Sequence, residues 1–292
     1  MPATVSEIDM LATARLTYPN IDPVAIELGP ISVHWYGLMY LAGFAAAWAI
    51  AMYRAGKPHS VMARSQVEDF IVWCAMGVIL GGRLGYVFFY GLDQFLEDPI
   101  WLFKIWTGGM SFHGGLIGVT VAMLLFARKH NINFLSLADF CAPLVPLGLG
   151  FGRIGNFIGQ ELWGRETTAS WGMVFPNDPE GLVRHPSQLY EAGLEGLLLF
   201  IILFVYSAKP RVPGTVASLF LIGYGCFRFV VEFFRQPDQH IGFDLFGWLT
   251  RGQLLCSVMI IVGASLFALF VWRAKQKQQA QATAAPASAK KS

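Results

Sequence analysis

Charge is what this chain has least of. Asp, Glu, Lys and Arg make up only 14% of its 292 residues, where a soluble domain normally carries about 25%. Soluble proteins need charge on their surface, so the shortage argues against an ordinary soluble domain. Cysteine is sparse as well. Cys74, Cys141, Cys226 and Cys256 all fall in apolar segments, with no CxxC pairing or ligand-like spacing. That predicts buried free thiols and supports neither a disulfide framework nor a zinc site. Residues 1–30 lack the basic n-region of a cleavable signal peptide and carry Glu7, Asp9, Asp22 and Glu27 instead. No clear internal repeat is visible, which weighs against an inverted-repeat transporter. A formal net charge of +2 argues neither for nor against nucleic acid.

What is abundant is apolar length. Hydrophobic residues reach 55% and the mean hydropathy is +0.50. From Val33 to Tyr53 the only polar ionisable group besides tyrosine is His34, and this run is long enough to cross a hydrocarbon core of about 30 Å as a helix. Seven such spans are expected, near residues 32–53, 69–90, 110–127, 134–157, 188–206, 215–234 and 251–272. The fold class is therefore an all-α integral membrane protein. Residues 1–31 form an N-terminal arm, 32–272 the seven-helix domain, 92–106 an interfacial stretch, 159–187 an outer loop, and 273–292 a disordered tail. The interfacial stretch, Leu92 to Trp106, places Trp101, Phe103 and Trp106 where a helix lying along the membrane would need them.

The basic residues give an orientation. One side holds Arg54, Lys57, Arg64, Arg128, Lys129, Lys209, Arg211, Arg273, Lys275, Lys277, Lys290 and Lys291. The other holds Arg15, Lys104, Arg165, Arg184, Arg235 and Arg251. The positive-inside rule makes the richer side cytoplasmic, so the N-terminal arm is periplasmic and the C-terminus cytoplasmic. An odd number of spans agrees with that assignment.

Three arginines remain inside spans: Arg83, Arg153 and Arg228. A central arginine costs about 2.5–3.5 kcal/mol on insertion scales. Arg153 lies near a span end, where snorkelling to the interface would serve it as well as a function. Arg228 is deeper, with Tyr224 at i−4 and Glu232 at i+4 on the same helix face, so a local ion pair and a functional role are both open. Glycines cluster around Arg83, between Gly108 and Gly115, and from Gly148 to Gly155. Close helix packing explains many of them, including the GxxxG of Gly114 and Gly118, but not the adjacent charges. Gly150 to Gly155 also matches GxGxxG. A dinucleotide site needs a preceding strand and a βαβ unit, and this segment is a predicted span, so that reading is rejected. His113, between two glycine pairs, is open to either a structural or a basic role. Ser187, after Pro186, reads as the N-cap of the fifth span, which gives His185 a structural setting.

The motifs go further than general chemistry. His113-Gly114-Gly115-Leu116-Ile117-Gly118, Gly152-Arg153-Ile154-Gly155-Asn156-Phe157-Ile158, and Glu161-Leu162-Trp163-Gly164-Arg165 strongly resemble the prolipoprotein diacylglyceryl transferases of bacteria. So do His34-Trp35-Tyr36-Gly37-Leu38, Arg184 to Glu191, Tyr224 to Arg228, and Glu232 to Pro237. The resemblance runs from about residue 20 to 255. It implies a multi-pass inner-membrane enzyme that moves the diacylglyceryl group of phosphatidylglycerol onto the lipobox cysteine of a prolipoprotein. The product is a thioether, glycerol 1-phosphate is released, and the site faces the periplasm. It further implies His113, Arg153 and Arg228 as catalytic residues. Arg153, Asn156, Tyr36, Glu161, Gly164, Tyr224 and Glu232 are implied on the substrate, with no cofactor and no metal. The expected partners are phosphatidylglycerol, prolipoprotein signal peptides and the bilayer, and no nucleic acid. The chain departs from the pattern at Gly159, where many relatives carry asparagine. A channel or transporter would spread its charges through both membrane halves, and a retinal protein would need a lysine in the last span, which residues 251–272 lack.

Overall fold

A computed structural model describes residues 16–19, 21–29, 31–236, 243–245 and 249–288. Arg15, Lys290 and Lys291, used above for orientation, and Glu7 and Asp9, used for the N-terminal segment, lie outside them. In chain order the elements are β1 (Leu16–Thr17), β2 (Val24–Leu28), β3 (Ile31–His34), α1 (Trp35–Ala55), α2 (Val67–Tyr90), α3 (Leu92–Glu97), α4 (Phe112–Lys129), α5 (Phe134–Cys141) and α6 (Val145–Ile158). Then follow β4 (Met173–Val174), β5 (Val183–Arg184), α7 (Ser187–Glu191), a π-helical segment Ala192–Leu198, α8 (Leu199–Tyr206), α9 (Thr215–Val231), β6 (Phe243–Leu245), β7 (Leu249–Thr250) and α10 (Arg251–Ser288).

Six helical stretches among the described residues are long and apolar enough to cross a membrane: Trp35–Ala55, Arg64–Tyr90, Phe112–Lys129, Phe134–Ile158, Ser187–Tyr206 and Arg251–Ala282. A seventh, Thr215–Val231, is apolar but has only 17 residues, or about 26 Å of helix. The seven expected spans therefore all fall on helices. Three details differ from the sequence reading. The 92–106 stretch is not one helix, because Pro99 lacks the N–H an α-helix needs there. It is α3 followed by 3₁₀ turns at Pro99–Phe103 and Ile105–Thr107. The fourth span breaks at Ala142-Pro143-Leu144 between α5 and α6 for the same reason. The last helix continues through Ser288, where a disordered tail is expected; Ala, Gln and Lys are all good helix formers. Outside the spans, short strands pair as β1-β4-β5, β2-β3 and β6-β7, which an all-α reading omits.

The chain divides into two compact units, one comprising residues up to Ala47 and from Ala142 onward, the other Trp48–Cys141. In the smaller unit α2 crosses α4 through glycine. A methyl group on Gly85 would sit 2.7 Å from the Gly114 Cα, and one on Gly77 would sit 2.7 Å from the Gly118 carbonyl. Small residues here let two backbones touch, as membrane helix packing favours. Arg83 is buried in this unit at 3% exposure. Its guanidinium donates to the carbonyls of Leu102 (2.9 Å), Trp101 (2.5 Å), Gly108 (2.5 Å), Gly109 (3.2 Å) and Lys104 (3.4 Å). The Trp101 ring lies 4.4 Å from it. Gly108 and Gly109, both at φ +82°, adopt the left-handed backbone that turns those carbonyls toward it.

In the larger unit α1 lies on α6, with Gly43 against Gly148 and the Tyr36 ring against Gly155. The 159–187 loop is held down by a small core of Tyr18, Phe157, Met173 and Phe175, with Trp163 packed against it. The Tyr18 hydroxyl donates to the Phe157 carbonyl at the end of α6 (2.9 Å). Within the loop Arg184 pairs with Asp178 (2.5 Å) and with Glu180. The Arg184 hydrogen bonds hold the Asp178 carboxyl below its ordinary range. All four cysteines are free thiols.

Candidate active site

The larger unit gathers its charges around one carboxylate. Glu191, at the end of α7, is 1% exposed. Its Oε2 meets Arg153 Nε of α6 at 2.5 Å and Arg228 Nη1 of α9 at 3.0 Å, and its Oε1 lies 3.3 Å from Arg235 Nε. Arg228 also reaches Glu232 (3.3 Å) and Glu195 (3.7 Å), and Arg235 reaches Glu232 (3.6 Å). Glu232 accepts from the Thr250 hydroxyl (3.1 Å), in β7 just before α10. Three spans and two connecting segments therefore converge on one network of arginine and glutamate. The local Arg228–Glu232 pair expected from i,i+4 spacing is present, but as one edge of this larger array.

The geometry has a local cause. Residues 192–198 are π-helical, a wider turn that occurs mostly as functional bulges in α-helices. It keeps Glu191 and Glu195 on the same side of the helix. Gly196 allows it to lie directly on α6, since a methyl group there would come within 2.6 Å of the Gly150 Cα. Gly150 belongs to the run whose spacing matches GxGxxG.

Arg153 leads outward from this network. Its side chain is the most accessible of the three arginines, at 21% against 14% for Arg228 and Arg235. Its Nη1 donates to Asn156 Oδ1 (3.4 Å), and Asn156 Nδ2 donates to Glu161 Oε1 (2.6 Å). A guanidinium on one side and a carboxylate on the other fix the orientation of the Asn156 amide. Glu161 sits between Gln160 and Leu162, both at positive φ (53° and 58°). Left-handed backbone at two non-glycine residues is strained and persists only where surroundings enforce it. Here the enforcers are Gln188, donating to the Glu161 carbonyl (2.7 Å), and Gln160, whose side chain accepts from the Asn177 N–H (3.0 Å). Gln160 is thus engaged in shaping the loop.

The remaining residues expected at the site occupy several settings. Tyr36 packs on Gly155, two residues after Arg153, and its hydroxyl lies 3.1 Å from that of Tyr40. Tyr224 stacks on Phe220 one helical turn before Arg228. Gly164 pairs its backbone with Arg235 and donates to the His185 carbonyl (2.9 Å), and a methyl group there would lie 2.7 Å from that oxygen. Its first role is to let three chain segments meet. Arg165 donates to the Arg235 (2.6 Å) and Glu232 (3.3 Å) carbonyls, closing the same corner. His113 belongs to the other unit. It is exposed at the start of α4, edge-on to Phe112, after Ser111, whose hydroxyl accepts from the Gly114 N–H (3.2 Å).

One local expectation fails. Ser187 does not cap its helix; Pro186 occupies the N-cap position, and the Ser187 hydroxyl donates across to the Leu162 carbonyl (3.3 Å). Ser187 is fully buried, so its hydroxyl serves the 159–187 loop instead. His185 does have the structural setting expected of it, with Nδ1 3.1 Å from the Tyr190 hydroxyl and Phe234 edge-on. Burial pushes its imidazole below the ordinary histidine value.

Sequence reasoning missed Glu191, the carboxylate that Arg153 and Arg228 share, and Glu195, 3.7 Å from Arg228. Glu191 closes the quoted motif Arg184 to Glu191, and Glu195 follows at i+4, a spacing that marks one helix face. That face, opposite two in-span arginines, was the available signal. A family model described as prolipoprotein diacylglyceryl transferase matches residues 23–269. The chain belongs to that family. A phosphatidylglycerol–prolipoprotein diacylglyceryl transferase of Teredinibacter turnerae is 64% identical over 262 residues, covering 86% of this chain and 91% of that protein. Proteins of the same name from Acinetobacter baumannii and Acinetobacter baylyi are 58% and 57% identical over 266 residues, covering 90% of this chain and 96% of each relative. The arginine–glutamate network therefore lies in a membrane transferase family, within the region the family model covers.

Proposed function

We propose that this protein transfers the diacylglyceryl group of phosphatidylglycerol to the lipobox cysteine of prolipoproteins in the bacterial inner membrane, with its site toward the periplasm. The carrying observation is the pair Arg153 and Arg228, from two different apolar helices, sharing the buried carboxylate of Glu191. Guanidinium groups suit an anionic phosphodiester because their planar fork offers two donors to two oxygens. Within an apolar bundle such a pair is costly unless compensated. Glu191 supplies that compensation before substrate arrives, and the phosphate can take over part of it.

The reaction forms a bond between the substrate sulfur and the glyceryl carbon while that carbon's bond to phosphate oxygen breaks. The leaving oxygen takes the electron pair and departs in glycerol 1-phosphate. Charge builds on that phosphate, and Arg153 and Arg228 are the groups that stabilise it. The substrate thiol, with an ordinary pKa near about 8.5, must lose its proton. We assign that proton to His113, since a neutral imidazole nitrogen can accept a proton as a general base. Asn156 and Glu161 hold Arg153 in place, Tyr36 and Tyr224 border the head-group site, and Glu232 restrains Arg228.

The test is replacement of a bacterium's own transferase. This chain should rescue a depletion strain and, purified, convert phosphatidylglycerol and a lipobox peptide to thioether. His113→Gln and Arg153→Ala should do neither. No thioether from the wild-type protein overturns the function, and rescue by both variants overturns the site.

A further inference from the structure

Glu195 is the one carboxylate of the network that nothing satisfies. It is 0% exposed, and neither of its oxygens has a hydrogen-bond partner among the described residues. Its nearest cation, Arg228 Nη1, stands 3.7 Å away and is engaged by Glu191 at 3.0 Å, while Arg228 Nη2 is drawn to Glu232. A buried carboxylate normally collects several charge-assisted hydrogen bonds, and without them the ionised form is heavily penalised. The protonated acid has a far smaller need.

The charge balance points the same way. The network holds three guanidiniums, Arg153, Arg228 and Arg235, and three carboxylates, Glu191, Glu195 and Glu232. Arg165 and Glu161 at its edge add one charge of each sign. With every group ionised the array is neutral, and a phosphodiester monoanion entering it would leave one unmatched negative charge among apolar helices. With Glu195 protonated the array carries +1 and matches that monoanion. Tyr224 and Cys256, which also lie within electrostatic range of Glu195, are neutral as ordinary side chains at pH 7 and do not alter the count.

We infer that Glu195 carries a proton when the phosphatidylglycerol head group is bound, and that this proton sets the net charge of the site to fit a phosphodiester monoanion. Glu195 acts through Arg228 and is a positioning residue. It takes no part in bond making: the thiol proton goes to the base, and the C–O electron pair leaves with the phosphate. The inference rests on the proposed function, and the two fail differently.

The experiment measures transfer from phosphatidylglycerol vesicles to a lipobox peptide between pH 6 and 9, for wild type and Glu195→Gln. Loss of the Glu195 proton in wild type should raise the KM for phosphatidylglycerol about tenfold per pH unit on the alkaline side. Glu195→Gln, permanently neutral, should remove that rise, and kcat should keep the wild-type pH profile. The same alkaline rise in both proteins overturns the inference, as does a folded Glu195→Gln with no measurable transfer at any pH. Infrared spectra of the wild-type protein give a reading that needs no variant to fold. A protonated carboxylic acid carbonyl band at neutral pH, lost as the KM rises, supports the inference, and its absence overturns it. A wild-type protein inactive toward phosphatidylglycerol would sink the function itself.

Discussion

Arg83 and the pair Arg153–Arg228 are the same residue type in the same apolar setting, and the protein treats them oppositely. Arg83 spends its donors on five backbone carbonyls of the 101–109 segment, and no carboxylate pairs with it among the described residues. Arg153 and Arg228 are held mainly by carboxylate side chains. The difference decides what each can do. Backbone carbonyls cannot leave a guanidinium without unfolding the loop they belong to, so Arg83 is committed to structure. A carboxylate can be displaced or supplemented by a phosphate oxygen, which has the same charge and similar geometry. An intramembrane arginine marks a polar site by default, and here its partners separate the structural case from the chemical one.

Removing the shared carboxylate should break the comparison most severely. Glu191→Ala strips Arg153, Arg228 and Arg235 of their common partner: Arg228 and Arg235 keep Glu232, but Arg153 loses its carboxylate. Breaking a buried ion pair in this way costs about 3–5 kcal/mol. The expected result is a large drop in thermal stability in detergent together with loss of thioether formation. A Glu191→Ala protein that melts with wild type would mean the arginines are already compensated elsewhere. Arg83→Leu should act on stability alone. It leaves the carbonyls of Trp101, Leu102 and Gly108 short of a donor, at about 2–4 kcal/mol in total. The fraction that stays folded should bind phosphatidylglycerol with a KM within about twofold of wild type, since one kcal/mol corresponds to roughly fivefold. A tenfold rise in that KM would place Arg83 on the substrate and erase the distinction.

Little of this distinction could be read from the chain. The spans were legible because apolar length alone determines which segments can cross a bilayer, and all seven fell on helices. Arg153, Asn156 and Glu161 were legible as a group because they lie within nine positions and fold back on one another through local hydrogen bonds. Glu191 and Glu195 were not, because their partners are 33 to 44 positions away and the π-helical turn that aims them has no signature in residue type. Arg83 was misleading for the same reason, since its acceptors are backbone carbonyls, which any sequence provides. The failed cap at Ser187 has a similar origin: a serine before an apolar helix favours capping locally, and the carbonyl of Leu162 competes for its hydroxyl from 25 positions away.

Arg184 supplies the third case, an arginine in the 159–187 loop, outside the membrane-length helices. It pairs with Asp178 and Glu180 and lies 5.9 Å from the Trp163 ring. The hydrogen bonds from Arg184 act first on Asp178 and lower its carboxyl from the usual 3.8, aided by the backbone N–H groups of Glu180 and Leu182. A carboxyl whose folded value is depressed binds its proton more readily in the unfolded chain. Its contribution to stability is therefore complete above the ordinary carboxylate range and is lost as pH falls through the lowered folded value. At neutral pH the Asp178→Asn protein should melt slightly below wild type, and the gap should close as the solution is taken from pH 5 to below pH 3. Thermal unfolding of both proteins across that range measures it. A gap that is constant with pH would show that Asp178 acts through shape and hydrogen bonding alone, and that only the in-span arginines depend on the charge of their partners.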